Sequence, residues 1–169
     1  MRGRLSESHR YLIALGSNRR HGRHGPPQRV LAAAARELAR LGELAAVAPI
    51  LRSDPLGPSR RRYANGAVVL DTELEPDALL HALKAVERAF GRRGGGRRWG
   101  ARVLDCDIVL WSGGAWRGKA LTVPHPAFRT RSFVLAPATA IAPGWRDPAR
   151  GLTMRQLHAR LTRRRPATR

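Results

Sequence analysis

One stretch restricts the fold more than any other: Arg98-Trp99-Gly100-Ala101-Arg102-Val103-Leu104-Asp105-Cys106-Asp107-Ile108-Val109-Leu110. Its second half is a strand-forming apolar run that two aspartates interrupt. Side chains alternate along a strand, so Asp105 and Asp107 share one face while Leu104, Cys106 and Ile108 take the other. One face therefore belongs in a core, and the other opens with two carboxylates that repel each other and resist burial. A divalent cation between them removes both difficulties, and hard oxygen donors beside phosphate point to magnesium. Arg98 and Arg102 add planar, permanent charge suited to phosphate oxygens, and Trp99 adds a stacking face. By itself the Asp-x-Asp pattern also fits a plain strand end with two solvated acids. The arginines and the tryptophan in the same stretch tilt the balance toward phosphate chemistry.

The surrounding chain has room for such a site. Its 169 residues, 43% hydrophobic and 26% charged, fit one globular domain with a sizeable core. Lys and Arg number 32 against 12 Asp and Glu, a formal charge of +20. That excess suits nucleotides, polyanions and acidic membranes, and equally follows from an arginine-rich composition alone. The single Cys106 excludes an internal disulfide and a multi-cysteine zinc site; on the core face it fits a small buried hydrophobe. No apolar run approaches membrane-spanning length, and residues 1–10 lack the apolar region of a signal peptide. A cytoplasmic protein is expected.

In chain order, residues 1–10 are polar and expected to be a disordered tail. Residues 11–15 read as a buried strand ending at Gly16-Ser17-Asn18. The basic loop with His21 and His24 has no carboxylate nearby and reads as solvated. Pro26 and Pro27 open a helix in which Val30, Leu31, Ala34, Ala35, Leu38 and Leu41 recur at helical spacing, with Gly42 as its stop. Residues 44–51 read as a second strand and 63–70 as a third, with a turn-rich segment and Arg60-Arg61-Arg62 between them. Glu75-Pro76-Asp77 starts a second helix, with Leu79, Leu80, Leu83, Val86 and Phe90 on its apolar face and Gly91 at its end. Gly94-Gly95-Gly96 marks a mobile loop before the aspartate strand. A turn at Ser112-Gly113-Gly114 leads back toward Leu121-Thr122-Val123, and residues 131–141 read as partly helical. Thr153 and Gln156 form a capping box for a last helix to about residue 161, and residues 162–169 are a basic tail. The order strand, helix, strand, strand, helix, strand is that of a split βαβ sandwich. The expected architecture is α+β and ferredoxin-like, an antiparallel sheet with helices on one face, in a single domain over residues 11–161.

Residues 113–120 approach the phosphate-loop pattern but fail it: Ala120 replaces the metal-binding hydroxyl, and no helix follows. Several other pieces, taken together, resemble the hydroxymethyldihydropterin pyrophosphokinase family of folate synthesis. They are Leu15-Gly16-Ser17-Asn18, Arg52-Ser53-Asp54-Pro55-Leu56-Gly57-Pro58, Tyr63-Ala64-Asn65, residues 98–109 and Val123-Pro124-His125-Pro126, in the family's order. The resemblance covers residues 11–143, and its most specific part is Arg-Trp-Gly-x-Arg-x-x-Asp-x-Asp.

That resemblance implies transfer of pyrophosphate from ATP to the hydroxymethyl group of a reduced pterin, with release of AMP. It implies that Asp105 and Asp107 hold two magnesium ions, and that Arg92, Arg98, Arg102 and His125 carry the catalytic phosphate contacts. ATP would be bound by Glu87, Trp99, Arg102, Ile108, Thr122, His125 and Arg131. The pterin would be bound by Ser53, Leu56, Tyr63, Asn65, Trp99 and Phe133. The implied partners are ATP and the pterin, with no membrane and no specific nucleic acid, for a chain working as a monomer. The sequence departs from the family pattern at Cys106, at Ser53-Asp54, at Arg60-Arg61-Arg62 and at Gly94. A second function class stays open, a basic nucleic-acid-binding module, because split βαβ sheets bind RNA and +20 favours polyanions. Against it, residues 12–15 of the first strand are aliphatic, and Asp105 and Asp107 repel a phosphate backbone unless metal is bound.

Overall fold

The computed structural model describes residues 8–53, 62–91 and 102–163. In chain order the elements are β1 (His9–Ser17), α1 (Pro27–Leu38), β2 (Glu43–Val47), β3 (Leu51–Ser53), β4 (Tyr63–Thr72), α2 (Pro76–Ala89) and β5 (Asp105–Trp111). A small hairpin, β6 (Trp116–Arg117) with β7 (Thr122–Val123), follows, then a 3-10 turn at Phe128–Thr130, α3 (Ser132–Ile141) and α4 (Met154–Thr162).

The main sheet is antiparallel in the order β2–β4–β1–β5. β4 runs along the whole of β1, from His9 opposite Thr72 to Ser17 opposite Ala64. β5 lies on the other side of β1, from Tyr11 opposite Trp111 to Gly16 opposite Asp105. This is the expected ferredoxin-like sheet. The strand expected over residues 44–51 is two strands, β2 and β3, laid end to end along β4. Pro49 sits in the break, where a residue without an N–H cannot continue the ladder. The first strand also starts earlier than expected, at His9, so residues 9 and 10 are sheet and not tail.

Helices cover both faces, not one. Tyr11, Ile13, Leu15, Val68 and Leu70 point toward α1 and α2, where Leu31, Leu38, Leu79 and Leu83 are buried. Leu12, Ala14, Ala67, Val69 and Val109 point the other way, against Val134, Leu135 and Ala138 of α3 and Met154 and Leu157 of α4. The reason is visible in β4: residues 64–70 are all buried, so neither face of that strand can meet water. Gly91, at a φ of 87°, terminates α2 as expected. Gly42 does not cap α1, which ends at Leu38; it lets the chain pass against the backbone of Asp71, where any Cβ would collide. The capping box of Thr153 and Gln156 is formed at the start of α4.

A buried ion pair ties the second layer together. Arg129, in the 3-10 turn, donates from Nε and Nη2 to the fully buried carboxylate of Asp147, at 2.6 and 2.7 Å. Burial alone would raise the Asp147 carboxyl, but Arg129 and the Ala149 N–H outweigh it and hold it below its ordinary value. A depressed carboxyl stabilises the fold above its unfolded value and loses that contribution as pH falls through the folded one. Asp147→Ala should therefore cost about 3–5 kcal/mol at pH 7, read by urea unfolding. Asp147→Asn should flatten the acid side of the stability curve; an unchanged acid limb would show that the pair is not its source.

Candidate active site

At one end of the sheet, on the α3 side, the core gives way to a cavity of about 270 Å³. Register explains why it opens there. Asn65 on β4, Gly16 on β1 and Asp105 on β5 are direct partners in one row across three strands. In the next row Ala14 stands between Ala67 and Asp107. The central strand thus presents its smallest side chains between an amide on one flank and two carboxylates on the other. Asp105 and Asp107 do share a face, with Cys106 and Ile108 buried on the opposite one.

At the carboxylate end, Arg102 Nη1 donates to Asp105 Oδ2 at 2.9 Å. The Arg102 backbone is gripped by Asn18, whose Oδ1 accepts its N–H at 2.7 Å and whose N–H donates to its carbonyl at 3.1 Å. His125 Nε2 stands 3.9 Å from Asp107 Oδ2, and its Nδ1 accepts the Ala127 N–H at 3.1 Å. That contact leaves the proton of the neutral ring on Nε2, facing the carboxylates. Burial lowers the His125 imidazole, with Arg131 acting in the same sense against Asp107 and Asp105, so the ring is neutral at pH 7. Burial and then the Asp105 charge push the Asp107 carboxyl up, against His125, Lys84 and Arg131.

At the amide end, Asn65 Nδ2 donates to Ser53 Oγ at 2.7 Å, and Tyr63 and Phe133 complete the wall. Ser53, Tyr63, Asn65, Arg102, Asp105, Asp107, His125, Arg131 and Phe133 are thus brought to one cavity. Leu56, Arg92, Arg98, Trp99 and the loop at Gly94 lie outside the described residues.

Three residues expected to contact ATP do not line this cavity. Ile108 packs its side chain in the α1–α2 core, and Thr122 is exposed on β7 away from the cavity. Glu87 is fully buried under β5, on the face opposite the cavity. Ala14, Gly16 and Ser17 also line the cavity, and no role had been assigned to them. Their signal was the strand pairing of Leu15-Gly16-Ser17-Asn18, which sequence alone does not show.

A sequence model of the family described as 7,8-dihydro-6-hydroxymethylpterin-pyrophosphokinase matches residues 12–143. The chain belongs to this pyrophosphokinase family. It is 42% identical over 142 residues to the 2-amino-4-hydroxy-6-hydroxymethyldihydropteridine pyrophosphokinase of Pseudomonas aeruginosa, covering 82% of this chain and 84% of that one. The enzyme of the same name from Synechocystis is 41% identical over 125 residues, covering 69% of this chain and 64% of the relative. Among solved structures, the HPPK-DHPS of Plasmodium falciparum superposes with a TM-score of 0.70 over 91% of this chain and 44% of that one. At 12% identity that likeness speaks for the fold.

The donor set at the carboxylate end of the cavity suits magnesium. Among the described residues no group of three or more His, Cys, Asp and Glu could hold an ion alone. Two carboxylates supply part of a shell, and magnesium ordinarily completes such a shell with water and substrate phosphates. The nucleic-acid alternative loses its platform. RNA-binding sheets stack bases on an open face, and here helices lie on both. Among the described residues, no helix is long and apolar enough to cross a membrane.

Proposed function

We propose that this chain transfers the β,γ-pyrophosphoryl group of ATP to the hydroxymethyl oxygen of 6-hydroxymethyl-7,8-dihydropterin. The observation that carries this reading is the row Asn65–Gly16–Asp105, which gives one cavity an amide end and a carboxylate end. The flat ring lies at the amide end between Tyr63 and Phe133, with its polar edge on Asn65. The phosphates lie at the carboxylate end. Asp105 and Asp107 would hold two magnesium ions, which when bound neutralise phosphate oxygens and orient them for in-line attack. Arg102 and Arg131 hold the phosphate oxygens by charge, and neutral His125 donates from Nε2 to one of them. The hydroxyl oxygen bonds to the β-phosphorus, and the bond from that phosphorus to the α,β-bridging oxygen breaks. AMP leaves with the bridging oxygen, and the hydroxyl proton passes to water. The chain is taken to act as a monomer in the cytoplasm.

The test is incubation with ATP, magnesium and the reduced pterin. AMP should appear in equal amount to consumed pterin, and chelation of magnesium should stop it. Release of ADP and phosphate, or equal ATP affinity with and without magnesium in calorimetry, would overturn the assignment.

A further inference from the structure

Leu79, Leu83 and Glu87 follow one another at helical spacing on α2, and all three are fully buried. The stripe that packs α2 on the sheet therefore ends in a carboxylate where a leucine would serve packing better. A buried carboxylate is costly unless it is paired and hydrogen-bonded. Lys84 supplies the charge, with Nζ at 3.1 and 3.2 Å from the two carboxylate oxygens. The Cys106 N–H supplies the hydrogen bond, donating to Glu87 Oε1 at 2.8 Å.

The place of that N–H matters. Among the described residues β5 is the outermost strand of the main sheet, so its outward-facing amides have no neighbouring strand of that sheet to meet. Cys106 is buried and stands between Asp105 and Asp107. Without Glu87 its amide would be an orphan donor on the strand that carries both cavity carboxylates. Farther along the same edge the His125 N–H donates to the Val109 carbonyl at 3.1 Å. The edge is pinned at two points, one on each side of Asp107.

We propose that Glu87 is a positioning residue for Asp105 and Asp107: its carboxylate holds the peptide between them, fixing the pleat that aims both at the bound ions. It acts from the face of the strand opposite the cavity, through the Cys106 peptide. This rests on the pyrophosphokinase reading for what the aspartates bind, but not for the clamp itself. Removing an outer partner of a metal ligand costs about 10–100-fold in metal affinity.

The experiment compares Glu87→Gln, which keeps an acceptor for the Cys106 amide, with Glu87→Met, which keeps bulk alone. For each, calorimetry gives the magnesium concentration that half-supports ATP binding, and NMR gives hydrogen exchange at the Cys106 amide. Glu87→Met should raise the magnesium requirement at least about tenfold and expose the amide to exchange. Glu87→Gln should keep the amide protected and stay within about threefold of the parent requirement. A parent-like magnesium requirement in Glu87→Met overturns the proposal. So does Glu87→Gln losing amide protection, a test that serves alone if Glu87→Met does not fold. So does a loss confined to ATP KM in both variants, which is what a nucleotide contact would give. Failure of the parent protein to form AMP strikes the reaction instead, and leaves the exchange result standing.

Discussion

Asp107→Ala, and likewise Asp105→Ala, should lower turnover by about two to three orders of magnitude while pterin binding to the free protein stays near the parent value. The two carboxylates stand on the flank of β1 opposite Asn65, so removing one leaves the amide end of the cavity as it was. What is lost is charge stabilisation that grows as the phosphoryl group moves, and such a loss falls on kcat. Asp107 carries the sharper case. Burial and Asp105 have pushed its carboxyl up, and a bound cation would offset both. Asp107→Asn keeps the shape and removes the charge, so it should track the alanine variant and not the parent. Steady-state AMP formation at saturating magnesium, with calorimetry for the pterin, reads both quantities. Normal turnover in Asp107→Ala would remove the carboxylates from the reaction.

Alternation along residues 104–110 was enough to place Asp105 and Asp107 together and Cys106 in the core, because a strand has a period of two and one face was apolar. Helical spacing placed α1 and α2 for the same reason. What periodicity cannot reach is pairing. The cavity floor depends on Gly16 falling between Asn65 and Asp105, and that register is set by three strands far apart in the chain. The last two helices were expected, but not their place on the second face, because α3 is apolar nearly all round and shows little sidedness to read. Glu87 entered only through the family resemblance, and its partners in the fold, Lys84 on its own helix and a backbone N–H on β5, were not legible in the sequence. Nothing local marks that amide as an unpaired edge until the strand order is known.

Asn65→Ala should act at the other end of the cavity and on the other substrate. Asn65 is buried, and Ser53 Oγ accepts one Nδ2 hydrogen at 2.7 Å, which fixes the amide plane. Its second Nδ2 hydrogen and its Oδ1 are left to face a ring edge that carries both a donor and an acceptor. Truncation leaves that edge unpaired in a partly dry pocket, at about 1–3 kcal/mol, or roughly 5–150-fold in pterin affinity. ATP affinity should be nearly unchanged, since the phosphates lie on the carboxylate flank. Ser53→Ala should reproduce a smaller part of the loss, because the amide stays but is free to turn; Ser53→Thr keeps a hydroxyl and should restore most of it. Pterin and nucleotide titrations on each variant separate the outcomes. If Asn65→Ala lost ATP and kept the pterin, the two ends of the cavity would have to be exchanged.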